Sequence, residues 1–459
     1  MKLRKVFTTI TLVMAGIMLP QCLIAKNKST QKNNVLIIVC DDLNHWVGHL
    51  GRNDQIKTPH IDELASRGLT FENAYCNAPQ CLPSRTSMFT GLLPTSTGVY
   101  ANSASYVNAN LTADMFLGGY MHKQDLYVSS AGKTHTMFYS DTAGIDAIGD
   151  RGFMKRCPEL EKGVTASQNW SILDGDDLCG EDEKNVLFIT EELGKSFDKP
   201  FLIMAGIYKP HLKWKIPKKY YDMYPLDEVK LPPIKEDDLD DLDTNAAYKI
   251  SGRHVSTKNE SDLKMRQMVR AYMAAVSYCD AQVGRIMSAL DNGPNAKNTA
   301  VVLFGDHGYH LGEKHMAAKR LLWEEANRTP YIWVVPGTTK PNTRSTRVVD
   351  LLSLYPTVCD IAGVTIPDHA EGKSIKELLA NPDMEWNIPS MTTYRPNNNA
   401  IRTEEWRFIQ YENGSQELYD KTTDEYEWYN LANKPEYKHI IDSLKQYIPA
   451  EQKPYIRRK

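Results

Sequence analysis

The sequence predicts an α/β fold followed by a smaller C-terminal subdomain of antiparallel strands and a helix. Two apolar runs, residues 35–40 (VLIIVC) and 299–304 (TAVVLF), are rich in β-branched side chains and have the length of strands buried on both faces. Helical segments lie between such runs, which is typical of α/β organisation. Beyond residue 371 the pattern changes to amphipathic strands joined by turns such as Asn413-Gly414, with a helix over about 435–447.

Three further segments agree with this order of elements. Thr58 precedes Pro59 and acidic residues follow, which predicts a helix with Thr58 as its N-cap. Residues 201–205 (FLIMA) predict another buried strand, and residues 261–290 have apolar side chains at helical spacing. Residues 141–182 are rich in Gly, Asp and polar side chains and are expected to form an insertion loop.

The composition is that of an ordinary globular protein. Of 459 residues, 42% are hydrophobic and 24% are charged, which suffices for one large domain and a smaller one. Residues 1–25 have a basic start and an apolar centre and are expected to be a secretory signal peptide, followed by a polar spacer over 26–34. Removal of residues 1–25 takes away three positive charges and changes the formal net charge from −3 to −6. A protein with a negative net charge does not attract nucleic acid through its overall electrostatic field. Any anionic substrate must therefore be held by a local pocket of basic side chains.

The signal peptide predicts a secreted or periplasmic protein. After it, no apolar run is long enough to cross a bilayer, so no transmembrane segment is expected. Cys22 offers an alternative, anchoring as an acylated lipoprotein, although Pro20 and Gln21 match poorly the small residues usual before such a cysteine.

Cysteine spacing limits the kinds of site that the chain can form. The cysteines after residue 22 are Cys40, Cys76, Cys81, Cys157, Cys179, Cys279 and Cys359. Their wide spacing excludes a zinc ribbon or a dense disulfide scaffold. In an oxidising compartment Cys157 and Cys179, which share one loop-like region, are the candidates for a bridge; two unpaired thiols are the alternative.

The stretch 81–91 (CLPSRTSMFTG) carries the strongest indication of chemistry. Pro83 suits the first turn of a helix and Gly91 its end, so Cys81 is predicted to lie at a helix N-terminus, where free N–H groups and the helix dipole favour anions. Arg85, one turn further on, can reach back as a bidentate donor for a tetrahedral oxyanion. The alternative is a buried cysteine before an amphipathic helix with a surface arginine.

Two acidic motifs come directly after buried strands. Asp41 and Asp42 follow the first apolar run, at the strand end where open α/β sheets bind ligands. Repulsion between adjacent carboxylates favours a hard divalent cation with oxygen ligands, the alternative being a solvated turn. Asp306 and His307 follow the run over 299–304 in the same way and can complete such a metal site.

Two basic motifs add candidate residues. Lys133 and His135 are two positions apart after a short strand, so on extended backbone they point to the same side, which suits an anion whose proton must be moved. His211 follows Lys209-Pro210 after the strand over 201–205. Taken alone, each of these motifs is more typical of a surface loop.

Together the motifs resemble those of the type I sulfatases. The run from Cys81 to Arg85, followed by Thr90-Gly91, is similar to the signature in which that family oxidises cysteine to formylglycine. Four further motifs occur in the order that the family requires: Asp41-Asp42, Gly132-Lys133-Thr134-His135, Lys209-Pro210-His211 and Gly305-Asp306-His307-Gly308. The third of these resembles the iduronate-2-sulfatase-like branch. The resemblance covers about residues 35–420, and it departs from the usual pattern at Gly305 and at Lys314-His315.

The resemblance implies a fold, a reaction and a metal. The fold would be alkaline-phosphatase-like, with a large mixed central sheet flanked by helices in a catalytic domain over 35–370 and a subdomain over 371–459. The reaction would be hydrolysis of O-sulfate esters of a sulfated carbohydrate, with a uronate 2-O-sulfate as one candidate. The implied ligands of a Ca²⁺ ion, or alternatively Mg²⁺, are Asp41, Asp42, Cys81, Asp306 and His307.

It also implies catalytic roles. The residues are Cys81, Arg85, Lys133, His135, His211 and Lys319. A maturase would convert the cysteine to formylglycine, and its hydrated aldehyde would be the covalent nucleophile, because an unmodified thiol forms a sulfur adduct without an obvious exit. Arg85, Lys133 and Lys319 would balance the negative charge of the transition state. His135 would be the base that releases sulfate from the intermediate, and His211 the acid for the leaving alcohol.

Two alternatives stay open at this point. The same architecture supports phosphomonoester or phosphonate hydrolysis, although the order of the motifs favours sulfate. The chain could also be an inactive sulfated-glycan-binding protein in which Cys81 is unmodified. A binding protein, however, needs no nucleophile and base together.

Overall fold

The computed structural model of the protein describes residues 33–104, 109–134, 145–149, 155–165, 168–252 and 255–457. The predicted signal peptide, Cys22, residues 26–32 of the spacer and the candidate base His135 lie outside these residues. In the part that is described, no helix combines the length and the hydropathy that crossing a bilayer requires.

The described strands and helices follow one another through the whole chain. In chain order the strands are β1 (Asn34–Asp41), β2 (Leu69–Tyr75), β3 (Tyr127–Gly132), β4 (Ala147–Gly149), β5 (Glu159–Thr165), β6 (Gln168–Leu173), β7 (Phe201–Pro210), β8 (Trp214–Pro217), β9 (Thr299–Gly305), β10 (His310–Leu311), β11 (Ala317–Ala318), β12 (Tyr331–Val334), β13 (Thr343–Asp350), β14 (Ser390–Thr393), β15 (Asn399–Arg402), β16 (Trp406–Gln410) and β17 (Gln416–Asp420). The helices are α1 (Pro59–Ser66), α2 (Cys81–Thr90), α3 (Pro94–Thr97), α4 (Leu117–Lys123), α5 (Glu183–Leu193), α6 (Lys218–Tyr221), α7 (Thr244–Ser251), α8 (Asp262–Asp291), α9 (Glu324–Asn327), α10 (Leu354–Ala362), α11 (Lys376–Ala380) and α12 (Lys438–Lys445).

Eight of the described strands form the central sheet, in the order β13-β2-β12-β9-β1-β7-β3-β4. β12 runs antiparallel to β2 and β9, and the other neighbouring pairs are parallel. The predicted α/β fold with a large mixed central sheet is therefore confirmed. The two apolar runs of the sequence are β1 and β9, and they lie side by side in the middle of the sheet with Cys40 opposite Gly305.

Side chains of β1 alternate between two core layers. The even-numbered side chains from Leu36 to Cys40 pack in a cluster that includes α8. The odd-numbered ones from Val35 to Val39 pack in a second cluster with α2 and α10. Because helices cover both faces of the sheet, the strand is a continuous apolar run instead of an alternating one.

The segment over 141–182 contains more secondary structure than the loop that the sequence predicts. It includes β4, and the antiparallel strands β5 and β6, of which β6 pairs with β8. Most side chains of β5 are exposed, so this strand has no apolar pattern to indicate it. Cys157 and Cys179 are joined by a disulfide with their Cα atoms 5.7 Å apart, which confirms the expected bridge.

The C-terminal part is a four-stranded antiparallel sheet in the order β14-β15-β16-β17, as predicted. α12 packs on it through a cluster formed by Met391, Ile401, Phe408, Leu418, Ile441 and Leu444. The helix begins at Lys438, after a short 3-10 turn at Pro435–Tyr437. The domain boundary between residues 370 and 371 stays a prediction.

A buried network of ions connects this sheet to the rest of the protein. Arg407 on β16 lies 2.6 Å from a carboxylate oxygen of Glu324, at the start of α9, and 2.5 Å from one of Glu427. Glu324 also accepts a hydrogen bond of 2.9 Å from Tyr75 on β2. Burial alone would raise the pKa of Glu324, but the positive charges of Lys421 and Arg407 hold it well below its usual value. Glu324 therefore stays ionised at neutral pH.

Replacing Arg407 by methionine should destabilise the fold strongly. The change takes from Glu324 and Glu427 the cation that lies nearest to both carboxylates, which costs about 3–5 kcal/mol. Urea unfolding measures the loss. Arg344→Met is the matched control, because Arg344 is 51% exposed and pairs with Glu72 at the surface at 2.9 Å; its loss should not exceed about 1 kcal/mol. Equal losses in the two variants would contradict the assigned role of the network.

Candidate functional site

The candidate site lies at the carboxyl ends of β1 and β9. Because these strands are parallel neighbours in register, the residues that follow them come together, and the backbone N–H of Asp42 donates to Asp306 Oδ1 at 3.0 Å. Asp42 has a φ of 66°, so the chain leaves the strand through the left-handed region, which Asp tolerates better than most residues. The predicted metal ligands Asp41, Asp42, Asp306 and His307 are all completely buried.

Helix α2 brings Cys81 to the same place. It begins at Cys81 and ends at Thr90, and all of its residues are buried. Gly91, with a φ of 70°, follows as its C-cap. Gln80, the residue before the helix, does not cap it with its side chain. Instead, Asn102 Oδ1 accepts from the backbone N–H of Leu82 at 2.9 Å. No sequence signal indicates this cap, because Asn102 is distant in the chain.

Cys81 Sγ is surrounded by positively charged groups. It lies 3.2 Å from Lys319 Nζ, 3.5 Å from Lys133 Nζ and 3.4 Å from His307 Nε2. Asp42 Oδ1 is further away, at 4.0 Å. Burial and the charge of Asp41 raise the pKa of the thiol, but the two lysines outweigh them, and the pKa lies well below its usual value. The position stabilises an anion.

Arg85 contacts the protein with every nitrogen of its side chain. Nε donates to Asp306 Oδ2 at 2.8 Å and Nη2 to Asp41 Oδ1 at 3.4 Å. Nη1 donates to the carbonyl oxygens of Lys133 and of Thr134, the latter at 2.9 Å. The arginine thus connects α2 to β1, β9 and the end of β3.

The two lysines each pair with one of the adjacent carboxylates. Lys133, directly after β3, forms an ion pair with Asp41 Oδ2. Lys319, directly after β11, lies 2.5 Å from Asp42 Oδ1. Burial raises the pKa of Asp41, yet the charges of Lys133 and then of His211 outweigh it, so the pKa lies well below its usual value. Lys319 has the opposite shift, because its pKa is raised well above its usual value by Asp42 in spite of burial.

Asp306 and His307 are adjacent in the chain, and both have raised pKa values. Burial raises the pKa of Asp306 to about 7 although Arg85 opposes the shift. Burial lowers the pKa of His307, but Asp306 outweighs this effect and the result is about 9. His307 Nδ1 lies 3.0 Å from the carbonyl oxygen of Gly308, and Nε2 faces Asp42 Oδ1 at 3.3 Å.

His211 lies beside the carboxylates at the end of β7. Its Nε2 is 4.0 Å from Asp41 Oδ2, and its Nδ1 is 2.6 Å from the carbonyl oxygen of Leu212. The imidazole is 23% exposed, in contrast to the buried ligands around it. It stacks at an angle against the ring of Tyr208, with 4.9 Å between the ring centroids.

The donors present fit a hard divalent cation. Two overlapping sets have their ligand atoms within 4.8 Å of one another: Asp41, Cys81, Asp306 and His307, and Asp41, Asp42, Cys81 and His211. Asp42 Oδ2 is buried and accepts no hydrogen bond from a described residue, as expected of an oxygen that is free to bind a cation. The carboxylate oxygens of Asp41, Asp42 and Asp306 are ligands that Ca²⁺ and Mg²⁺ prefer.

An arrangement that holds a nucleophile position against a cation site and fixed positive charges belongs to enzymes that hydrolyse anionic esters. A family model described as Sulfatase matches residues 33–364. A second model, described as N-sulphoglucosamine sulphohydrolase, C-terminal, matches residues 312–454. The chain belongs to the sulfatase family, and it is a sulfuric ester hydrolase.

Individual relatives cover most of the chain. A sulfatase of Formosa agariphila is 32% identical over 463 residues, which span 95% of this chain and 91% of that protein. The iduronate 2-sulfatase of Homo sapiens is 29% identical over 418 residues, spanning 78% and 74%. The crystal structure of the phosphonate monoester hydrolase of Agrobacterium radiobacter has a TM-score of 0.75 over 90% of this chain and 94% of that one, at 17% identity, a likeness of fold.

Glu313, in the loop between β10 and β11 that leads to Lys319, provides a test by pH. Its Oε2 accepts from the backbone N–H of Leu311 at 2.7 Å. Burial and the charge of Glu325 raise the pKa of Glu313 from its usual 4.5 to about 8. The stabilisation that this carboxyl contributes is therefore complete below pH 4.5 and is lost as the pH rises to about 8.

Glu313→Gln should remove this loss, because the amide does not ionise and still offers an oxygen to Leu311. Between about pH 5 and pH 8, the free energy of unfolding of the variant should rise relative to the wild type by up to about 1.4 kcal/mol per pH unit. Urea unfolding at several pH values measures the difference, with the exposed Glu63→Gln as control. A difference that does not change with pH would contradict the raised pKa.

Proposed function

We propose that this sulfatase hydrolyses O-sulfate esters of a sulfated glycan and releases inorganic sulfate. The observation that carries the proposal is the position of Cys81 at the start of a buried helix, with Lys319, Lys133 and His307 all within 3.5 Å of its sulfur. A tetrahedral anion centred near this atom meets donors from several sides, as the transfer of a charged group requires. The relative named iduronate 2-sulfatase supports a uronate 2-O-sulfate as one candidate substrate.

Cys81 is proposed to be the nucleophile after conversion to formylglycine by a maturase. The hydrated aldehyde would supply one hydroxyl to attack sulfur and a second whose proton loss lets sulfate leave. The depressed pKa of the thiol supports this role, since the surroundings stabilise negative charge on whichever group occupies position 81.

The proposed ligands of a Ca²⁺ or Mg²⁺ ion are the side chains of Asp41, Asp42, Asp306 and His307 with the group at position 81. The ion would polarise the sulfate oxygens. Lys133 and Lys319 pair with the carboxylates that such an ion would bind. Filling the cation site would therefore free both ammonium groups for the anionic ester.

Two histidines are proposed to move protons. His211 is the proposed acid for the leaving alcohol, because its imidazole is 23% exposed and lies beside Asp41 at 4.0 Å. His135 remains the proposed base that releases sulfate. Arg85 is proposed to contribute positive charge through the carboxylates that it contacts.

We further propose that the protein acts outside the cytoplasm, after removal of residues 1–25. The disulfide between Cys157 and Cys179 supports an oxidising compartment. The predicted signal peptide supports secretion or a periplasmic location, and anchoring through Cys22 is the alternative.

The substrate test is sulfate release from a panel of defined sulfated mono- and disaccharides, with one phosphate ester included. Mass spectrometry first establishes the aldehyde at position 81. Cys81→Ala should lower release by more than about 10³-fold, the order expected when a covalent nucleophile is lost. Cys359→Ala, a buried thiol on α10, is the matched control and should retain activity.

Each outcome of this panel has a meaning. Release from one sugar alone names the substrate, and retained turnover in Cys81→Ala contradicts the proposal. Phosphate release alone favours phosphonate or phosphomonoester hydrolysis, in line with the fold neighbour described above. If fully modified protein releases neither sulfate nor phosphate from any ester, the result favours a sulfated-glycan-binding protein.

Removal of the metal should inactivate and destabilise the enzyme together. Without the ion, Asp41, Asp42 and Asp306 retain only their protein partners, and binding energy that stabilises the folded state is lost. Chelation followed by dialysis should abolish sulfate release and lower the Tm, and Ca²⁺ or Mg²⁺ should restore both. Full activity in chelated, metal-free protein would refute the cation site.

A further inference from the structure

Lys209 is a completely buried lysine that lies two residues before His211. Its Nζ donates to the carbonyl oxygens of His211 and Lys213, each at 2.8 Å. The same Nζ lies 3.0 Å from Glu181 Oε2. One ammonium group therefore holds both ends of the short segment that carries the imidazole.

The neighbour of Glu181 fixes the backbone of the same segment. Asp182 is buried and accepts from the backbone N–H groups of Tyr208 at 2.6 Å and of Lys209 at 3.0 Å. Asn185 Nδ2 donates to it at 3.1 Å. Glu181 and Asp182 follow closely on Cys179, whose disulfide ties this loop to Cys157. Glu181 and Asp182, which contact Lys209, are therefore themselves fixed in position.

This arrangement sets the orientation of His211. The carbonyl oxygen of Leu212, 2.6 Å from Nδ1, can only accept, so Nδ1 carries a hydrogen in the neutral and in the protonated ring. In the protonated ring Nε2 carries a second hydrogen, and this is the proton that the ring would give to the leaving alcohol. Nε2 then faces Asp41 Oδ2, 4.0 Å away. The carbonyls on either side of Leu212 are the two that Lys209 holds, so a shift of Lys209 would turn the peptide that orients the ring.

We propose that Lys209, supported by Glu181 and Asp182, is a positioning residue that directs Nε2 of His211 toward the reacting centre. The proposal rests on the proposed role of His211 as the acid for the leaving alcohol. Lys209 has no access to a substrate, since its ammonium is enclosed by the three oxygens named above. A buried lysine costs desolvation that an apolar side chain would avoid, which is consistent with a need for its specific hydrogen bonds.

The test compares Lys209→Met on two kinds of ester. With the sugar sulfate identified by the panel, whose alcohol needs a proton to leave, kcat should fall by about 10–100-fold with KM nearly unchanged, because a small displacement of a catalytic group is costly. With an aryl sulfate such as 4-nitrophenyl sulfate, whose leaving group needs no acid, the fall should be only a few-fold. Both rates are expressed per mole of folded protein, so that loss of folded protein does not enter the comparison.

Two variants complete the comparison. Lys215→Met removes a surface lysine that pairs with Glu159 at 2.5 Å and should leave both rates unchanged. In a His211→Asn background, Lys209→Met should add little further loss on the sugar sulfate, because the group that it orients is absent. Equal losses on the two esters, or additive losses in the double variant, would overturn the proposal.

A spectroscopic measurement separates this proposal from the proposed function. In a long-range ¹⁵N–¹H spectrum recorded at a pH at which the ring is neutral, the ring signals missing in His211→Asn identify His211, and in the wild type they should show the tautomer with hydrogen on Nδ1. Lys209→Met should shift them toward a mixture of tautomers, and unchanged signals would overturn the positioning role even if sulfate release fails. If Lys209→Met does not fold, Glu181→Gln, which removes only the counter-charge, should produce a smaller change in the same direction.

Discussion

The balance of buried charge at the carboxyl ends of β1 and β9 is the constraint on which the rest of the structure depends. Asp41, Asp42 and Asp306 have no contact with solvent, and their counter-charges come from different parts of the chain. These are Arg85 on α2, Lys133 after β3 and Lys319 after β11. Because an unpaired buried charge is strongly destabilising, none of these elements can shift without the others. The interactions that hold the carboxyl ends of β1 and β9 together also shape the site.

The side chains of Arg85, Lys133 and Lys319 nevertheless differ in their exposure to solvent. The side chain of Arg85 is 1% exposed, whereas those of Lys133 and Lys319 are 10% and 13% exposed. The arginine is committed to the framework of carboxylates and carbonyl groups, and the lysines are nearer to the opening. A planar guanidinium with several donors suits the first task, and a compact ammonium on a flexible stem suits the second.

Much of this site could be predicted from the sequence, because its main residues follow strands that the apolar runs make visible. The sequence predicts Asp41 and Asp306 at the carboxyl ends of two buried strands, and the structure brings these strand ends together. Hydrogen bonds between segments that are far apart in the chain cannot be recognised in this way. The α1 helix begins at Pro59 as predicted, yet the Thr58 hydroxyl does not cap it. Asp280 on α8 accepts from its free N–H group at Ile61 instead, at 2.7 Å.

The hydrogen bonds of Lys209 show the same limit of sequence reasoning. Its place before Pro210 and His211 was visible, but its task depends on Glu181 and on three carbonyl or carboxylate oxygens that only the folded chain assembles. The strand β5 was missed for a different reason, since its exposed side chains follow no apolar pattern.

The ion network around Glu324 restricts how sequences of this fold can diverge. Arg407 lies between Glu324 and Glu427, and Lys421 is within 3.9 Å of both carboxylates. A change of Glu324 to a neutral residue would leave an excess of buried positive charge, and a change of Arg407 alone would take from Glu324 and Glu427 the cation that lies nearest to both. Substitutions at these positions should therefore be accepted in pairs, so that across homologues the residues of α9 and β16 covary although they are far apart in the chain.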